Sequence, residues 1–428
     1  MRKARFLTSG SFGRGFSTTP KRWIQGMSAI GPTEMVSYQR DLRVNQQKIS
    51  KATNKKLGGT NLHKRSLISF FKDYQQLFNQ KNFIEKIIPR KIESHEQLEK
   101  MGCTLYEGSY ETDLESANKA LIDPLYELLD LGGKRWRPVY GMVIANDYGM
   151  DLDGPKSDPL YHVLAGAEIL HNASIIIDDI EDQSLMRRGA PCAYLKYGQD
   201  IAINMGNFVM TTVLTDFVEN FNYVPVELKM KMISELTKEI SCLHFGQNWD
   251  ICWHNNYKLP TQSEYFQMCA SKTSVIPRLI TTMVGLLNKD NPTRIKKLRN
   301  MINDLGIAFQ IQDDIISLES DVYAKSRGIF GEDIHEGKRT LMVIHSVENL
   351  PKSDGKRLID ILNMKTDNDD IIREAIQMIQ STKSIEYAKS VSFNLIESYY
   401  KDMEEVMHRE ITKGHLKGFA NYLINRDM

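Results

Sequence analysis

The feature that most constrains this chain is an apolar stretch that ends abruptly in acidic residues. Residues 168–182 read EILHNASIIIDDIED and contain nothing that breaks a helix. At about 100° per residue, Asp178 and Asp182 lie one turn apart on one helix face, with His171 two turns earlier. Stacked carboxylates repel each other, so a cationic partner is expected. An isolated acidic pair is more often a solvated helix end, but this one follows Ile175–Ile177 and should be rooted in the core.

A second acidic pair has the same design. Residues 309–316 read FQIQDDII, which places Asp313 and Asp314 on an apolar helix. Two such helices packed antiparallel would direct their carboxylates into one cleft. Oxygen ligands favour Mg²⁺ over zinc or copper, and Mg²⁺ commonly shares its shell with substrate phosphates. The two pairs therefore predict a diphosphate bridged by metal. The candidate cations for such a site are Lys134, Arg135, Arg137, Arg187, Arg188, Lys272 and Lys338.

The spacing of apolar residues predicts an all-α fold. Apolar residues recur at three- and four-residue spacing, and Gly132 and Gly133 end the first such segment with a helix C-terminal signal. Lys134 and Arg137, which follow, are three residues apart and can grip one anion. Helical segments continue to the C-terminus, and because no run alternates with period two, no sheet is expected. Residues 104–428 are therefore predicted to form one helical domain.

The N-terminal hundred residues differ in composition from the rest. Residues 1–33 contain six lysine or arginine residues and no acid, which is the composition of a mitochondrial presequence; a disordered basic tail is the alternative. Residues 34–103 form a lysine-rich extension. Its composition suits contact with an acidic partner, such as a mitochondrial complex, or with a membrane surface. The expected location is the mitochondrion, in the matrix or at the inner membrane.

Composition argues against several classes of protein. A net charge of +1 over 428 residues argues against a nucleic-acid binder. The five cysteines are scattered without metal-ligand spacing, which indicates reduced thiols in a non-oxidising compartment. No apolar run approaches the ~18 residues that a membrane-spanning helix requires. A Gly-rich phosphate loop and a nucleophile elbow are also missing from the sequence.

Taken together and in chain order, these segments resemble the trans-isoprenyl diphosphate synthases, also called polyprenyl synthetases. The matching motifs are GGKRWRP at 132–138, DDIED with RRG at 178–189, GQ at 246–247, KT at 272–273, FQIQDD at 309–314 and EGK at 336–338. The resemblance covers most of the chain after residue 110 and is strongest to the eukaryotic geranylgeranyl diphosphate synthases. It implies an isoprenoid-synthase-type helical bundle around a deep central cavity, and a homodimer or heterodimer.

Carried over residue by residue, the resemblance assigns a role to each motif. Isopentenyl diphosphate would be held by Lys134, Arg137, His171 and Arg188. The allylic diphosphate would be held by Arg187, Lys272, Thr273, Gln310 and Lys338. Mg²⁺ would be held by Asp178, Asp182, Asp313 and Asp314. The catalytic set would be Asp178, Asp182, Lys272, Gln310 and Asp313. Metal and cations would stabilise the departing diphosphate, while a dry apolar cavity protects the allylic cation from water.

The residues near the first acidic pair predict a long product. Ala173 and Ser174, one turn before Asp178, are small where farnesyl-type relatives commonly carry an aromatic residue. The Tyr-Phe pair that floors the tunnel of related geranylgeranyl synthases falls on Met210-Thr211, whereas His244 of that floor is kept. The resemblance therefore implies a product of twenty carbons or more.

Three departures from the family pattern leave other functions open. Ser317 stands where the second motif often has an acid, Tyr194 replaces a usual histidine, and Gly328 falls where a basic residue is expected. The alternative is a prenyltransferase-like subunit with weak or no activity that regulates or supports a mitochondrial assembly. A terpene cyclase, which needs no second diphosphate grip, is a weaker alternative. Mg²⁺-dependent turnover of the two diphosphates separates an enzyme from a regulatory subunit.

Overall fold

The computed structural model describes residues 61–103, 111–133, 135–320 and 328–424, with side chains from Phe70 onward. The predicted presequence at residues 1–33 and the predicted site residue Lys134 lie outside the described residues. The elements that carry the motifs all belong to one compact unit, Arg65–Met428.

The described chain is almost entirely helical, which confirms the all-α prediction. The N-terminal half contains α1 (Asn61–Lys81), α2 (Phe83–Ile87), α3 (His95–Lys100), α4 (Leu114–Ala117), a π-helical turn (Asn118–Ile122), α5 (Asp123–Asp130), α6 (Trp136–Asp147), a 3-10 turn (Pro155–Ser157), α7 (Asp158–Glu181), α8 (Ala193–Tyr197) and α9 (Gln199–Glu219). The remainder contains α10 (Val226–His254), α11 (Gln262–Lys272), α12 (Val275–Leu287), α13 (Pro292–Glu319), α14 (Glu332–Glu336), α15 (Leu341–Asn349), α16 (Lys352–Met364), α17 (Asp369–Ser381), α18 (Ser384–Val406) and α19 (Glu410–Ile424).

Helix α7, which ends in the first acidic pair, is a core helix. It packs against α6, α9 and α12, and Leu164 and Ile169 are fully buried. Gly166 allows the close approach of α9, because a Cβ at that position would lie 2.9 Å from the ring of Phe217. A helix that is apolar on most of its sides is held by the core along its length. The last turn of α7, with its acids, is therefore fixed in position by packing.

Of the helices that the structure describes, two are long and apolar enough, by length and composition, to cross a membrane. They are Pro155–Glu181, which includes α7, and Gln199–Glu219, which is α9. The sequence predicts no such segment, because polar residues interrupt the apolar runs of both helices. Most of the apolar part of the first helix is buried inside the protein. Core packing therefore accounts for the apolar character of that helix.

Part of the lysine-rich extension packs on the same helical core. Phe78 and Phe83 are buried, and both rings lie near the ring of Tyr161 of α7. Phe70 stacks on His415 of α19 with 3.8 Å between ring centroids. Residues from Phe70 onward therefore contribute apolar side chains to the domain, and docking of the extension on a partner stays a prediction.

A short hairpin follows α7. Within the described ranges, the only strands are β1 (Met186–Arg187) and β2 (Ala190–Pro191), which pair antiparallel. Arg188 and Gly189 form the turn with φ angles of 56° and 79°, the left-handed geometry that a two-residue hairpin requires. The sequence predicts no sheet, because strands of two residues leave no alternating pattern. The hairpin holds two arginines beside the acidic end of α7.

Candidate active site

The first acidic pair contacts two lysines from distant parts of the chain. Asp178 Oδ1 lies 3.0 Å from the Lys272 ammonium at the end of α11, and Asp182 Oδ2 lies 2.5 Å from that of Lys338. Gln247 of α10 donates to Asp178 Oδ1 at 2.9 Å. Burial alone would raise the pKa of Asp178, but Lys272 and Lys338 outweigh burial and hold that pKa below its usual value. Asp178 is therefore an ionised carboxylate whose charge is balanced by cations.

Asp250 connects the two lysines, and it was not among the predicted site residues. Its Oδ2 atom accepts from Lys272 at 2.8 Å and from Lys338 at 3.1 Å. The Asp250 side chain is only 7% exposed. Asp250 comes three residues after Gln247, so both lie on one face of α10. This three-residue spacing is the sequence signal from which Asp250 could have been predicted as a site residue.

Asp179 anchors Arg187. Because Asp179 directly follows Asp178 in helix α7, the two side chains point in different directions. Arg187 Nε donates to Asp179 Oδ1 at 2.7 Å, and Nη2 bonds the same oxygen. Asp178 Oδ2 is farther away, at 3.8 Å from Arg187 Nη2. Burial opposes the charge of Arg187, but Asp179 outweighs burial and raises the pKa of the guanidinium. Asp179 thus fixes Arg187 at the edge of the acidic cluster.

The second acidic motif is joined to the first through α11. Thr273, the neighbour of Lys272, donates from Oγ1 to Gln310 Oε1 at 2.6 Å. Gln310 in turn donates to Asp314 Oδ1 at 2.9 Å. Because Lys272 contacts Asp178 while Thr273 contacts Gln310, the structure brings both motifs to one site.

The two acids of the second motif have different surroundings. Asp314 is buried and accepts from the Tyr265 hydroxyl at 2.6 Å as well as from Gln310. Burial raises the pKa of Asp314 to about 6. Both oxygens of Asp314 therefore already have partners in the protein. Asp313 is only partly buried, which makes it the more accessible of the two predicted metal ligands.

A separate cationic subsite lies two turns earlier on α7. Arg137 Nη1 and His171 Nε2 are 2.9 Å apart. Burial, followed by the charge of Arg137, lowers the pKa of His171 well below its usual value, so the ring is neutral and can accept from the guanidinium. Arg137 Nε is buried and has no hydrogen-bond partner among the described residues, and burial lowers the pKa of Arg137 to about 10. A buried guanidinium with an unused donor is suited to an anionic ligand.

Arg188 extends this subsite from the hairpin. Arg188 Nη2 donates to Asn172 Oδ1 at 3.1 Å, and Nη1 donates to the Leu128 carbonyl at 3.0 Å. Gly133 leaves room for the guanidinium, because a Cβ there would lie 3.3 Å from Arg188 Cζ. The glycine pair that the sequence marked as a helix end thus also makes space for a basic side chain. Asn172 was not predicted as a site residue.

The acidic cluster fits Mg²⁺ by the chemistry of its donors. The first motif offers carboxylate oxygens, which are hard ligands. Asp182 Oδ1 is buried and has no hydrogen-bond partner in the part of the chain that the structure describes. Among those residues, no three ligating side chains are grouped closely enough to hold an ion unaided. Mg²⁺ commonly completes its shell with water and phosphate oxygens. Asp178, Asp182 and Asp313 are the residues that would hold it.

Comparison with known proteins agrees with this arrangement. The family model described as polyprenyl synthetase matches residues 118–379, a range that includes both acidic motifs. The chain is 32% identical to a geranylgeranyl pyrophosphate synthase of Hypoxylon pulicicidum over 298 residues, or 70% of this chain and 73% of that protein. It is 31% identical to a geranylgeranyl pyrophosphate synthase of Dictyostelium discoideum, over 68% of this chain and 90% of the relative.

A solved structure shows the same fold. The crystal structure of a geranylgeranyl pyrophosphate synthetase from Pyrococcus horikoshii Ot3 matches with a TM-score of 0.69 and covers 85% of this chain and 99% of that one, at 24% identity. The family match spans more than half of the sequence, and the acidic motifs inside it meet at one site. The chain therefore belongs to the polyprenyl synthetase family.

Proposed function

We propose that this protein is a prenyltransferase that condenses isopentenyl diphosphate with an allylic diphosphate. The observation that carries the proposal is a pair of cationic subsites that lie against α7 about two turns apart. Arg137 and His171 form one of them away from the acidic pair, whereas Lys272 and Lys338 form the other in contact with it. A reaction that binds two diphosphates and cleaves only one needs this division of the site. The similarity to geranylgeranyl pyrophosphate synthases supports the same activity.

The residues beside the acidic pair would serve the bond that breaks. Lys272 and Lys338 would neutralise the allylic diphosphate as its C–O bond opens, since preorganised cations stabilise charge where it develops. Mg²⁺, when held by Asp178, Asp182 and Asp313, would supply Lewis-acid stabilisation of the same leaving group. The partly buried setting of these groups strengthens their effect, because the local dielectric constant is lower than that of water.

The other subsite would hold isopentenyl diphosphate without cleaving it. The unused Nε–H of Arg137 would donate to a phosphate oxygen, and neutral His171 keeps that guanidinium oriented. Arg188 is held in place by Asn172 and would contribute a second guanidinium. The double bond would then face the allylic carbon and form the new C–C bond as the allylic C–O bond breaks. The carbocation left on the isopentenyl unit would lose a proton to the departing diphosphate and so regain a double bond.

We infer a product of twenty carbons or more. Ser174 is small and only partly buried, so the turn before the acidic pair leaves space beside it. Thr211, which the family resemblance places at the floor of the product tunnel, lines a cavity of about 320 Å³ together with Phe208, Leu98 and Met101. A small residue at a floor that borders unfilled apolar space supports a longer chain.

We further propose that the protein works as a dimer, with itself or a related chain, in the mitochondrion. Apolar side chains on α9 and α10 are unusually exposed: Ile203 by 41%, Val218 by 45%, Met230 by 58% and Phe245 by 61%. We infer that these side chains form a patch covered by a partner subunit, since contiguous exposed apolar surface marks interaction sites. The basic, acid-free composition of residues 1–33 supports mitochondrial import. Analytical ultracentrifugation and imaging of a fluorescent fusion test these two statements.

The decisive test is turnover by the purified chain. Incubated with Mg²⁺, isopentenyl diphosphate and an allylic diphosphate, it should release inorganic diphosphate and form a longer prenyl diphosphate that mass spectrometry identifies. Asp178→Ala should abolish turnover while the chain stays folded, and Glu348→Gln, an exposed change remote from the site, should leave turnover intact. A folded wild-type chain that turns over none of the short allylic diphosphates would overturn the proposal, whereas a product of only fifteen carbons would overturn its chain length.

A further inference from the structure

We propose that Asp250 is a positioning residue that holds Lys272 and Lys338 as a pair, so that both serve the leaving diphosphate instead of blocking the metal-binding carboxylates. This role rests on the proposed function. It concerns a residue outside both acidic motifs, and it follows from the ion pairs within the site.

Each lysine has a choice between two acidic partners. Lys272 lies 3.0 Å from Asp178 Oδ1 and 2.8 Å from Asp250 Oδ2. Lys338 lies 2.5 Å from Asp182 Oδ2 and 3.1 Å from the same Asp250 oxygen. Asp250 is thus the carboxylate that the two lysines share. It belongs to α10, whereas the acidic pair belongs to α7.

The shared position depends on the charge of Asp250. Two ammonium groups bonded to one oxygen atom repel each other, and a negative charge on that oxygen offsets the repulsion. Burial would raise the pKa of Asp250, but Lys272 and Lys338 outweigh burial and hold that pKa below its usual value. The Asp250 carboxylate is therefore ionised. Without its charge, the lysines would remain on Asp178 and Asp182, the residues expected to bind Mg²⁺.

The ionised partner also allows the lysines to change acceptors. A buried ammonium that loses its only anion is strongly disfavoured, since its desolvation is then uncompensated. Because Asp250 stays bonded to both, each lysine can leave the acidic pair for a diphosphate oxygen and still keep one ion pair. Among the described residues, Lys338 has one further anion within ion-pairing distance, Glu336 Oε2 at 3.6 Å, which is beyond hydrogen-bonding distance. Asp250 is therefore the contact that prevents the lysines from competing with the metal.

The test is Asp250→Asn, which keeps the size of the side chain and removes its charge. We expect the KM for the allylic diphosphate to rise about tenfold or more, the range that loss of a supporting contact in a metal site commonly produces. The KM for isopentenyl diphosphate should not change, because Arg137 and His171 form a separate subsite. Titration of the unliganded protein with MgCl₂ alone, followed by calorimetry, should show Mg²⁺ affinity lowered about tenfold. Asp250→Glu should restore part of both losses.

A charge control separates pairing from simple loss of negative charge. Glu181→Gln also removes an acid near the site, but Glu181 accepts from Gln247 at 2.8 Å and forms no close ion pair with a lysine in the described chain. It should lower Mg²⁺ affinity less than Asp250→Asn does. Equal effects of the two variants would overturn the proposal.

Two further outcomes would also overturn the proposal. The first is an Mg²⁺ affinity of Asp250→Asn equal to that of the wild type. The second is an equal rise of both KM values together with a lower Tm, because that combination would indicate a general structural role for Asp250. Failure of the proposed function looks different, because the wild-type chain would then be inactive with both diphosphates. In that case the MgCl₂ titration still decides whether Asp250 keeps the lysines away from the metal ligands.

Discussion

The backbone nitrogen of Lys272 lies 2.7 Å from the position that a Cβ atom on Gly246 would occupy. Helices α10 and α11 therefore cross at Gly246 in direct backbone contact. The crossing determines how far the Lys272 ammonium lies from Gln247 and Asp250, which follow Gly246 on α10. The glycine is needed for space rather than for its conformation, because it lies inside a regular helix.

Gly246→Ala should impair both stability and turnover. The added methyl group meets the backbone of α11, which cannot move aside as a flexible side chain would. We expect the unfolding free energy to fall by about 1–3 kcal/mol, as for other overpacked sites. A shift of Lys272 by about 1 Å should lower kcat/KM by about 100-fold. Urea unfolding and steady-state kinetics measure the two effects.

Gly414→Ala is the matched control for this change. Gly414 lies in α19 with nothing within 4 Å of a Cβ at that position. Alanine should be neutral there or stabilise the helix by up to about 1 kcal/mol, with no change in turnover. If both alanine variants behaved alike, the backbone crossing at Gly246 would not be what positions Lys272.

The two acids of the second motif should respond differently to replacement by asparagine. Asp314→Asn replaces one of the two buried acceptors used by Tyr265 and Gln310 with an NH₂ donor, and should cost about 1–3 kcal/mol of unfolding free energy. Asp313→Asn should raise the Mg²⁺ concentration for half-maximal activity at least about tenfold. Thermal unfolding and a Mg²⁺ titration of activity measure these effects. A stable Asp314→Asn protein with strongly altered Mg²⁺ dependence would instead make Asp314 a direct ligand.

Ser174→Phe should shorten the product. Ser174 is partly buried one turn before the acidic pair, so an aromatic ring there can enter the space for the growing chain without disrupting the core. We expect products of about fifteen carbons, detected by mass spectrometry, and unchanged length for Ser174→Ala. Ala173→Phe is the structural contrast, since Ala173 is fully buried and a ring there should cost about 1–3 kcal/mol or more. An unchanged product from folded Ser174→Phe would place the length limit elsewhere.

Asp304→Asn should remove a pH-dependent loss of stability. Burial raises the pKa of Asp304 from 3.8 to about 6, and nearby Asp402 adds to the shift. The folded protein therefore keeps this proton where the unfolded chain has released it, so stability declines as pH rises from about 4 to about 6. The variant should exceed the wild type in unfolding free energy by about 1–2 kcal/mol at pH 7, a value reduced for partial exposure.

Urea unfolding at pH 3.5, 5 and 7 measures this difference, which should vanish at the lowest pH. Glu348→Gln, in which the replaced side chain is exposed, should follow the wild-type curve. A constant difference between Asp304→Asn and the wild type across the pH range would exclude titration of Asp304 as its cause.

The sequence by itself determined the helical class and the acidic end of α7. Helical spacing depends only on local geometry, so the positions of Asp178, Asp182 and His171 in the chain are enough to place them on one face. The apolar residues that precede the acids required a buried helix, and α7 is one. The glycine after α5 and the paired acids of α13 could be predicted for the same reason, since both depend on local geometry.

The tertiary structure alone decided which cation meets which acid. Lys338 and Asp182 are 156 positions apart in the chain, and local spacing holds no information about partners at that distance. The sequence offered seven basic candidates, and packing selected Lys272 and Lys338 for the acidic pair. Packing also turned Asp314 toward Tyr265 and placed Asp250 between the lysines. Ion pairs between distant segments form only where the packing of apolar helices brings their charged ends together, and that is a property of the whole fold.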